Sequence, residues 1–514
     1  MLKESRTRKS IKNAQVSLFY YVLQMILGFW SRKIYLDYLG VEVMGLNTTA
    51  SNLFGFLNLA ELGIGAAVMF FLYEPLNNND QETINKNVAL QGWIYRRVAF
   101  LIIGGAIALM LFFPMIFRGI NLPLWYTYAT FSVMLFSSLL GYFVNYKSIV
   151  LSADQKDYKV TIATRGFGII IKVIEILLLP HVSNPFVFCL FTSVLSTIFG
   201  CVWLNYILHK EYPWLKCNRS DGRQLMRELP GVLLKTKQIF IHRLSGTILI
   251  YVSPLIMYKF SSLTIVGCYG NYNTILLQMN QVIGMAFASM AAGVGSLIAS
   301  KDNQRIFRVF WELYDSRFCI ISIAIICVFF LIHPFISLWI GEEYILGRLF
   351  LSLLLIDCFI KLTRSTVDHY INGYGLFQDT WAPIVEGIIN IVGTIGFGLF
   401  FGFIGVLIGN IVSQLLIVCF WKPYMLFTKG IHHPPKSYFL PVLRRHILIL
   451  LNVSCMSILF DNILPISFSN YIEFAFYGFL TFIIVSSIIW AEFCFFSQGM
   501  RDFNRRILSI ILRH

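Results

Sequence analysis

The apolar stretch 348–371 carries four ionisable residues, Asp357, Lys361, Arg364 and Asp368, spaced i, i+4, i+7 and i+11. At 3.6 residues per turn, all four fall on one face of a helix whose other faces are Leu, Ile, Phe and Val. The signs run minus, plus, plus, minus, so Asp357 can pair with Lys361, and Arg364 with Asp368. Two readings fit this spacing. The pairs either hold helices together and do nothing else, or they form a polar stripe that lines a wet cavity. A charge at the centre of a bilayer costs about 2.5–3.5 kcal/mol on insertion scales, so such residues turn away from lipid. The spacing favours the cavity stripe.

Other apolar stretches carry charge as well. Arg165 and Lys172 stand at i, i+7 on one face of a predicted helix, with Glu175 three residues beyond Lys172. Arg32 and Lys33 are adjacent near the end of the first apolar run, and Arg243 and Lys259 lie near the ends of a later one. Long cations near helix ends can snorkel to the interface, which is the ordinary explanation of Lys33, Arg243 and Lys259. Arg32 lies deeper in its run. Glu61, in "LAELGIGAA", and Glu386 add carboxylates. Cations outnumber anions in this set, which suits an anionic cargo. Arginine grips phosphate bidentately, and lysine adds a point charge.

The elements that must position these residues follow from composition. The 514 residues are 57% hydrophobic and 13% charged, with a mean hydropathy of +0.70. Soluble domains are about 45–50% apolar and about 25% charged. The chain is therefore read as an all-α polytopic membrane protein. Apolar runs near 14–36, 44–72, 98–117, 124–147, 161–180, 185–208, 239–259, 267–299, 309–332, 348–371, 381–401, 403–427, 446–464 and 471–496 give roughly fourteen spans. Long unbroken runs exclude a β-barrel, whose strands alternate.

The net charge of +15 sits mainly in short loops on every second side of these spans, the positive-inside pattern, with both termini in the cytoplasm. That distribution argues against nucleic acid as a partner. The N-terminal run is too long for a signal-peptide core and is read as a retained span. Most of the ten cysteines lie in or beside apolar runs without a CxxC, as small buried residues do. No Walker A pattern, HExxH or nucleophile elbow occurs, so neither ATP-driven transport nor enzyme chemistry is expected. The basic loop 209–238 divides the chain. The expected organisation is an N-lobe of six spans over 1–208, that loop, a C-lobe of six spans over 239–428, and two further spans with a basic tail over 429–514. A faint internal echo fits a duplicated core: "LGVEVMGLNTTASNL" and "IVGCYGNYNTILLQM" occupy equivalent places in the two halves.

The stretch "SRKIYLDYLGVEVMGLNTTASNLFGFLNLAELGIGAAV", residues 31–68, resembles the opening of bacterial polysaccharide-unit flippases of the Wzx type. The resemblance rests on Arg32, Leu39-Gly40, Gly45-Leu46 and Leu62-Gly63, and on the following "FFLYEPLNNNDQETINKNVA". The 6+6+2 layout extends it along the chain. It implies the fold of the multidrug/oligosaccharidyl-lipid/polysaccharide exporters, with two six-helix lobes around a central cavity that opens alternately to each side. The implied cargo is a polyprenyl-diphosphate-linked oligosaccharide, moved across the inner membrane for an O-antigen, capsule or exopolysaccharide. The implied partners are that lipid, the bilayer lipids and polysaccharide polymerase machinery.

On this reading Arg32, Arg165, Lys172, Lys361, Arg364 and Arg243 hold cargo. Glu61, Glu175, Asp357 and Asp368 serve as counter-ions or coupling groups. No cofactor or metal is expected, and coupling to H⁺ or Na⁺ stays open. Aromatic residues could stack on sugars, but 47 Phe and 25 Tyr give no basis for choosing among them. The rival readings are a cation-coupled drug antiporter of the same fold and, third, a polytopic glycan polymerase or ligase. An antiporter predicts a cavity rich in carboxylates, and an enzyme predicts a large outer loop. The sequence shows neither.

Overall fold

The structure is a computed structural model that describes residues 6–61, 63–118, 121–216, 222–229, 231, 232, 234, 236, 237, 240, 251, 253–287, 294, 297, 298, 301–376, 379, 381–463 and 468–511. Arg243 and most of the expected span 239–259 lie outside them. Among the described residues there are helices and turns but no strand. The chain forms two compact units, Met1–Gly267 and Cys268–His514.

In the first unit the helices are α1 (Arg6–Leu39), α2 (Val41–Leu57), α3 (Ile64–Asn78), α4 (Gln81–Leu111), α5 (Phe113–Ile116), α6 (Leu124–Phe143), α7 (Ile149–Ala153), α8 (Asp157–Leu178), α9 (Pro185–Glu211) and α10 (Gly222–Glu228). Polar side chains start the long ones. Asp80 accepts the Thr83 N–H at 3.1 Å to open α4, and Asn184, followed by Pro185, accepts the Val187 N–H at 3.2 Å to open α9. Each satisfies a donor that the first helical turn leaves without a partner. Helix α8 packs between α1 and α9, and α6 packs against α2, α4 and α9. The core is aliphatic and aromatic, built on Leu46, Phe54, Leu72, Val88, Phe113 and Phe131.

The second unit holds most of α11 (Leu263–Phe287), then α12 (Asn303–Trp339), α13 (Arg348–Thr363), α14 (Ser365–Tyr374), α15 (Trp381–Gln414), α16 (Lys422–Met425, between two π-helical turns), α17 (Lys436–Ile463), α18 (Tyr471–Phe496) and α19 (Gln498–Ile511). Its core stacks Phe310, Tyr314, Phe318, Tyr370 and Phe427 against Val485 and Ile489.

Six of the described helical segments are long and apolar enough to cross a membrane, and α6 with the segment Asn145–Ala153, bent by 58°, can make a seventh. Two expected spans differ in detail. The run 44–72 is not one helix. It breaks into a 3-10 turn at Asn58–Glu61 and restarts after Gly63, whose φ of 91° lies in the left-handed region. The runs 381–401 and 403–427 join in α15, which kinks at Gly402, with φ 59° and ψ −142°. The backbone folds back there so closely that a Cβ on Gly409 would overlap the Gly393 and Thr394 backbone. The two echo segments also touch. A Cβ on Gly45 would overlap the Leu263 carbonyl, and one on Gly267 would press on the Val41 carbonyl. The small residues of the echo thus serve close backbone contact.

Candidate functional site

In the first unit, α1, α8 and α9 bring together residues more than a hundred positions apart. Lys172 Nζ donates to Tyr35 Oη at 2.6 Å and lies 3.4 Å from Glu175 Oε2. The Tyr35 hydroxyl donates to Glu175, and Thr192 donates to the other Glu175 oxygen at 2.5 Å. Lys172 also sits 4.6 Å from the centre of the Tyr35 ring, a cation–π contact. Glu175 is buried and Lys172 is about one-third exposed. The pair presents a fixed ammonium whose charge is partly balanced from behind. One helical turn pair earlier on the same face, Arg165 is exposed and makes no ion pair among the described residues. Arg32 donates to the Gly267 carbonyl at 3.1 Å. Glu61, in its 3-10 turn, accepts from Tyr95 and from Tyr142, each at 2.7 Å.

In the second unit both i, i+4 pairs are present. Lys361 Nζ lies 2.6 Å from Asp357 Oδ2, and Arg364 Nε lies 2.9 Å from Asp368 Oδ2. Arg364 keeps helical torsions between α13 and α14, so the stripe stays on one line. Asp357 is buried, and its second oxygen accepts from Gln414 at 2.6 Å and from Asn410 at 3.2 Å. Asn390 bonds Asn410 at 2.5 Å and Ser413 at 3.2 Å across the α15 fold-back. Lys422 reaches the other Asp368 oxygen at 3.4 Å, and Glu386 stands 4.0 Å from Arg364.

Exposure sorts these cations. Lys361 keeps about half of its side chain exposed although Asp357 holds its tip. On α13 the exposed aliphatic residues Leu349 and Ile356 lie about 120–140° round the helix from Lys361. On α8 the exposed Ile170, Ile174 and Leu177 lie about 120–180° from Arg165. On α13 the accessible cation and the accessible hydrocarbon occupy different faces, whereas on α8 exposed Ile162 and Val173 also lie about 60–80° from Arg165.

The structure therefore groups Lys172 with Glu175, Lys361 with Asp357, and Arg364 with Asp368, while Arg165, Arg32 and Glu61 stand in separate settings. Arg243 lies outside the described residues. Sequence reasoning missed Tyr35, Thr192, Asn390, Asn410, Ser413, Gln414 and Lys422. The one available signal was Asn410, Ser413 and Gln414 at i, i+3 and i+4, a polar stripe without charge in an apolar run.

No protein-family model matches the sequence. The chain is 22% identical over 425 residues, covering 78% of this chain and 92% of the other, to a Yersinia pseudotuberculosis protein whose name assigns it provisionally to O-antigen export. Among solved structures, the lipid II flippase MurJ in an inward closed conformation aligns with TM-score 0.63 at 16% identity, over 94% of this chain and 99% of that one. An inward-facing multidrug resistance MATE transporter of the MOP superfamily aligns with TM-score 0.54 at 14% identity, over 80% and 97%. The resemblance first read from residues 31–68 is thus met by similarity along most of the chain. The protein is a polytopic, all-helical membrane protein with the fold that MurJ and the MATE transporters of the MOP superfamily share.

Proposed function

We propose that this chain is a transporter that flips a polyprenyl-diphosphate-linked oligosaccharide from the cytoplasmic to the outer leaflet of the inner membrane by alternating access. Both termini face the cytoplasm. The observation that carries this reading is the placement of Lys361, accessible and on a face turned from its helix's exposed hydrocarbon, together with an exposed Arg165 that makes no ion pair among the described residues. Cations in such positions avoid lipid and serve a wet, anion-binding surface. The candidate groups for the diphosphate are Arg165 in the first unit and, in the second, Lys361 and Arg364 as the anion competes with Asp357 and Asp368. Lys172 follows once the anion competes with Glu175. The O-antigen export relative and the lipid II flippase fold support the same cargo class.

The test is the fate of lipid-linked oligosaccharide in cells depleted of the protein. Build-up in the cytoplasmic leaflet with loss of surface glycan is expected. Normal glycan with new sensitivity to cationic drugs would establish the antiporter instead, and single repeat units accumulating on the outer leaflet would establish a polymerase. In the complemented strain, Arg165→Gln with Lys361→Gln should cut glycan export at least about tenfold, since a hydrogen bond to a charged group contributes about 1.5–3 kcal/mol. Arg165→Lys with Lys361→Arg should keep most of it.

A further inference from the structure

The first unit contains a cavity of about 490 Å³ on the surface of α6, edged by α2 and α9. Its polar lining comes from Asn47 and Ser51 on α2, Asn58 in the 3-10 turn that follows, Thr130, Ser137 and Ser138 on α6, and Ser193 and Thr197 on α9. Asn47 and Ser51 stand four apart, as do Ser193 and Thr197, and Thr130 and Ser137 stand seven apart, which keeps each pair on one face. Among the described residues no charged side chain lines it, and Phe54 and Tyr251 supply aromatic surface. The volume lies in the range of small-molecule sites, roughly 300–1,000 Å³.

The hydrogen bonding leaves acceptor capacity along the cavity wall and one buried hydroxyl, on Thr130, without a partner among the described residues. Ser193 donates to the Cys189 carbonyl at 2.8 Å and Thr197 to the Ser193 carbonyl at 2.9 Å, so each hydroxyl spends its proton on its own helix and keeps lone pairs. Ser137 and Thr197 face each other at 3.0 Å. The Tyr142 hydroxyl, which donates to Glu61, lies 3.1 Å from Asn58 Oδ1. Thr130 is 3% exposed, and its hydroxyl has no hydrogen-bond partner among the described residues. A buried hydroxyl without a partner is costly, and a ligand that bonds it removes the cost.

We infer that this cavity is a binding site for uncharged, hydroxyl-rich sugar rings of the cargo's head group. The inference rests on the flippase reading above and adds to it a place where the glycan is recognised, on groups other than the cations that take the diphosphate. A sugar ring offers alternating hydroxyl donors and acceptors at its edge and an apolar C–H face. The cavity offers hydroxyl and carboxamide groups with two aromatic surfaces, and its described lining holds no cation for a phosphate. It is thus a specificity site, and substitutions there change which glycan is exported.

The experiment compares two probes on the purified full-length protein in nanodiscs: bare polyprenyl diphosphate, and polyprenyl diphosphate bearing the repeat unit extracted from the host cells. The variant is Thr130→Val with Ser137→Ala and Ser193→Ala, each removing a hydroxyl at nearly constant shape. Affinity for the glycan-bearing lipid is expected to fall at least about tenfold relative to wild type, with affinity for the bare lipid unchanged. Ser193→Leu, which fills the cavity, is a second variant with the same expected selectivity. If either correctly folded variant loses both lipids equally, or loses neither, the sugar site is overturned while the flippase reading stands. If the wild-type protein binds neither lipid, the flippase reading falls and takes the sugar site with it.

Discussion

Asp315 is fully buried near the start of α12, and Arg445 of α17 closes on it with Nε 2.6 Å from Oδ1 and Nη2 donating to Oδ2 at 2.9 Å. Ser497 donates to the same carboxylate, and the guanidinium lies 4.5 Å from the centre of the Trp311 ring. Removing one partner leaves an uncompensated charge, a loss of about 3–5 kcal/mol, whereas an apolar pair of similar volume is often neutral. Asp315→Leu alone should therefore lower the thermal midpoint of the purified protein sharply. Adding Arg445→Met should recover most of the loss. A double variant no more stable than the single would show that the pair is not the unit of stability. This pair lies 130 residues apart, so nothing in the sequence announced it. The Asp357–Lys361 and Arg364–Asp368 pairs were legible for the opposite reason: both partners stand one turn apart on one helix, where spacing alone decides contact. Glu175 falls between the cases. Its neighbour Lys172 was visible, but Tyr35 is 140 residues away and Thr192 is uncharged.

At the scale of elements, the runs of apolar residues were legible, and their interruptions were not. Hydropathy treats 44–72 as one span because Asn58 and Glu61 are outweighed by their neighbours. The helix ends at Leu57 all the same and restarts from the left-handed Gly63, and Glu61 gains two tyrosine donors at the break. Hydropathy was also blind to the sugar cavity, because Ser, Thr and Asn barely lower the apolar score and its lining is spread over three helices. The α15 fold-back gives an internal control on how the glycines act. Gly402 adopts φ 59°, ψ −142°, a conformation that costs a residue with a Cβ about 1–3 kcal/mol. Gly409 sits against the Thr394 backbone, and a Cβ on Gly396 meets nothing within 4 Å. Thermal unfolding should rank the variants, with Gly396→Ala near wild type, Gly402→Ala lower, and Gly409→Val lowest. Equal midpoints for Gly402→Ala and Gly396→Ala would remove the argument that the turn requires glycine. The Asn390–Asn410 bond spans this turn, so a variant that opens it also releases the groups holding Asp357.

For the molecule as a whole, the proposed cargo and the cations that hold it predict how transport responds to voltage. Across an inside-negative membrane, each negative charge carried outward gains about 2.3 kcal/mol per 100 mV. A diphosphate head group therefore moves outward downhill. After release, the cations are no longer neutralised, and the same field favours their return toward the cytoplasm. Arg165 and Lys361 are accessible enough to feel that change of occupancy, whereas Asp315 and Arg445 balance each other in the protein interior. On the proposed reading the cycle is electrogenic and needs no ATP. In proteoliposomes with the potential clamped by a potassium gradient and ionophore, flipping of the lipid-linked repeat unit should speed up several-fold from zero to an inside-negative 100 mV. It should slow when the sign is reversed. Arg165→Gln with Lys361→Gln should flatten the response by making the empty return less sensitive to voltage. A rate that ignores the potential but follows an imposed proton or sodium gradient would place the driving force on a coupling ion. The carboxylates Glu61, Glu175 and Asp357, each already surrounded by donors, would then be the groups to substitute first.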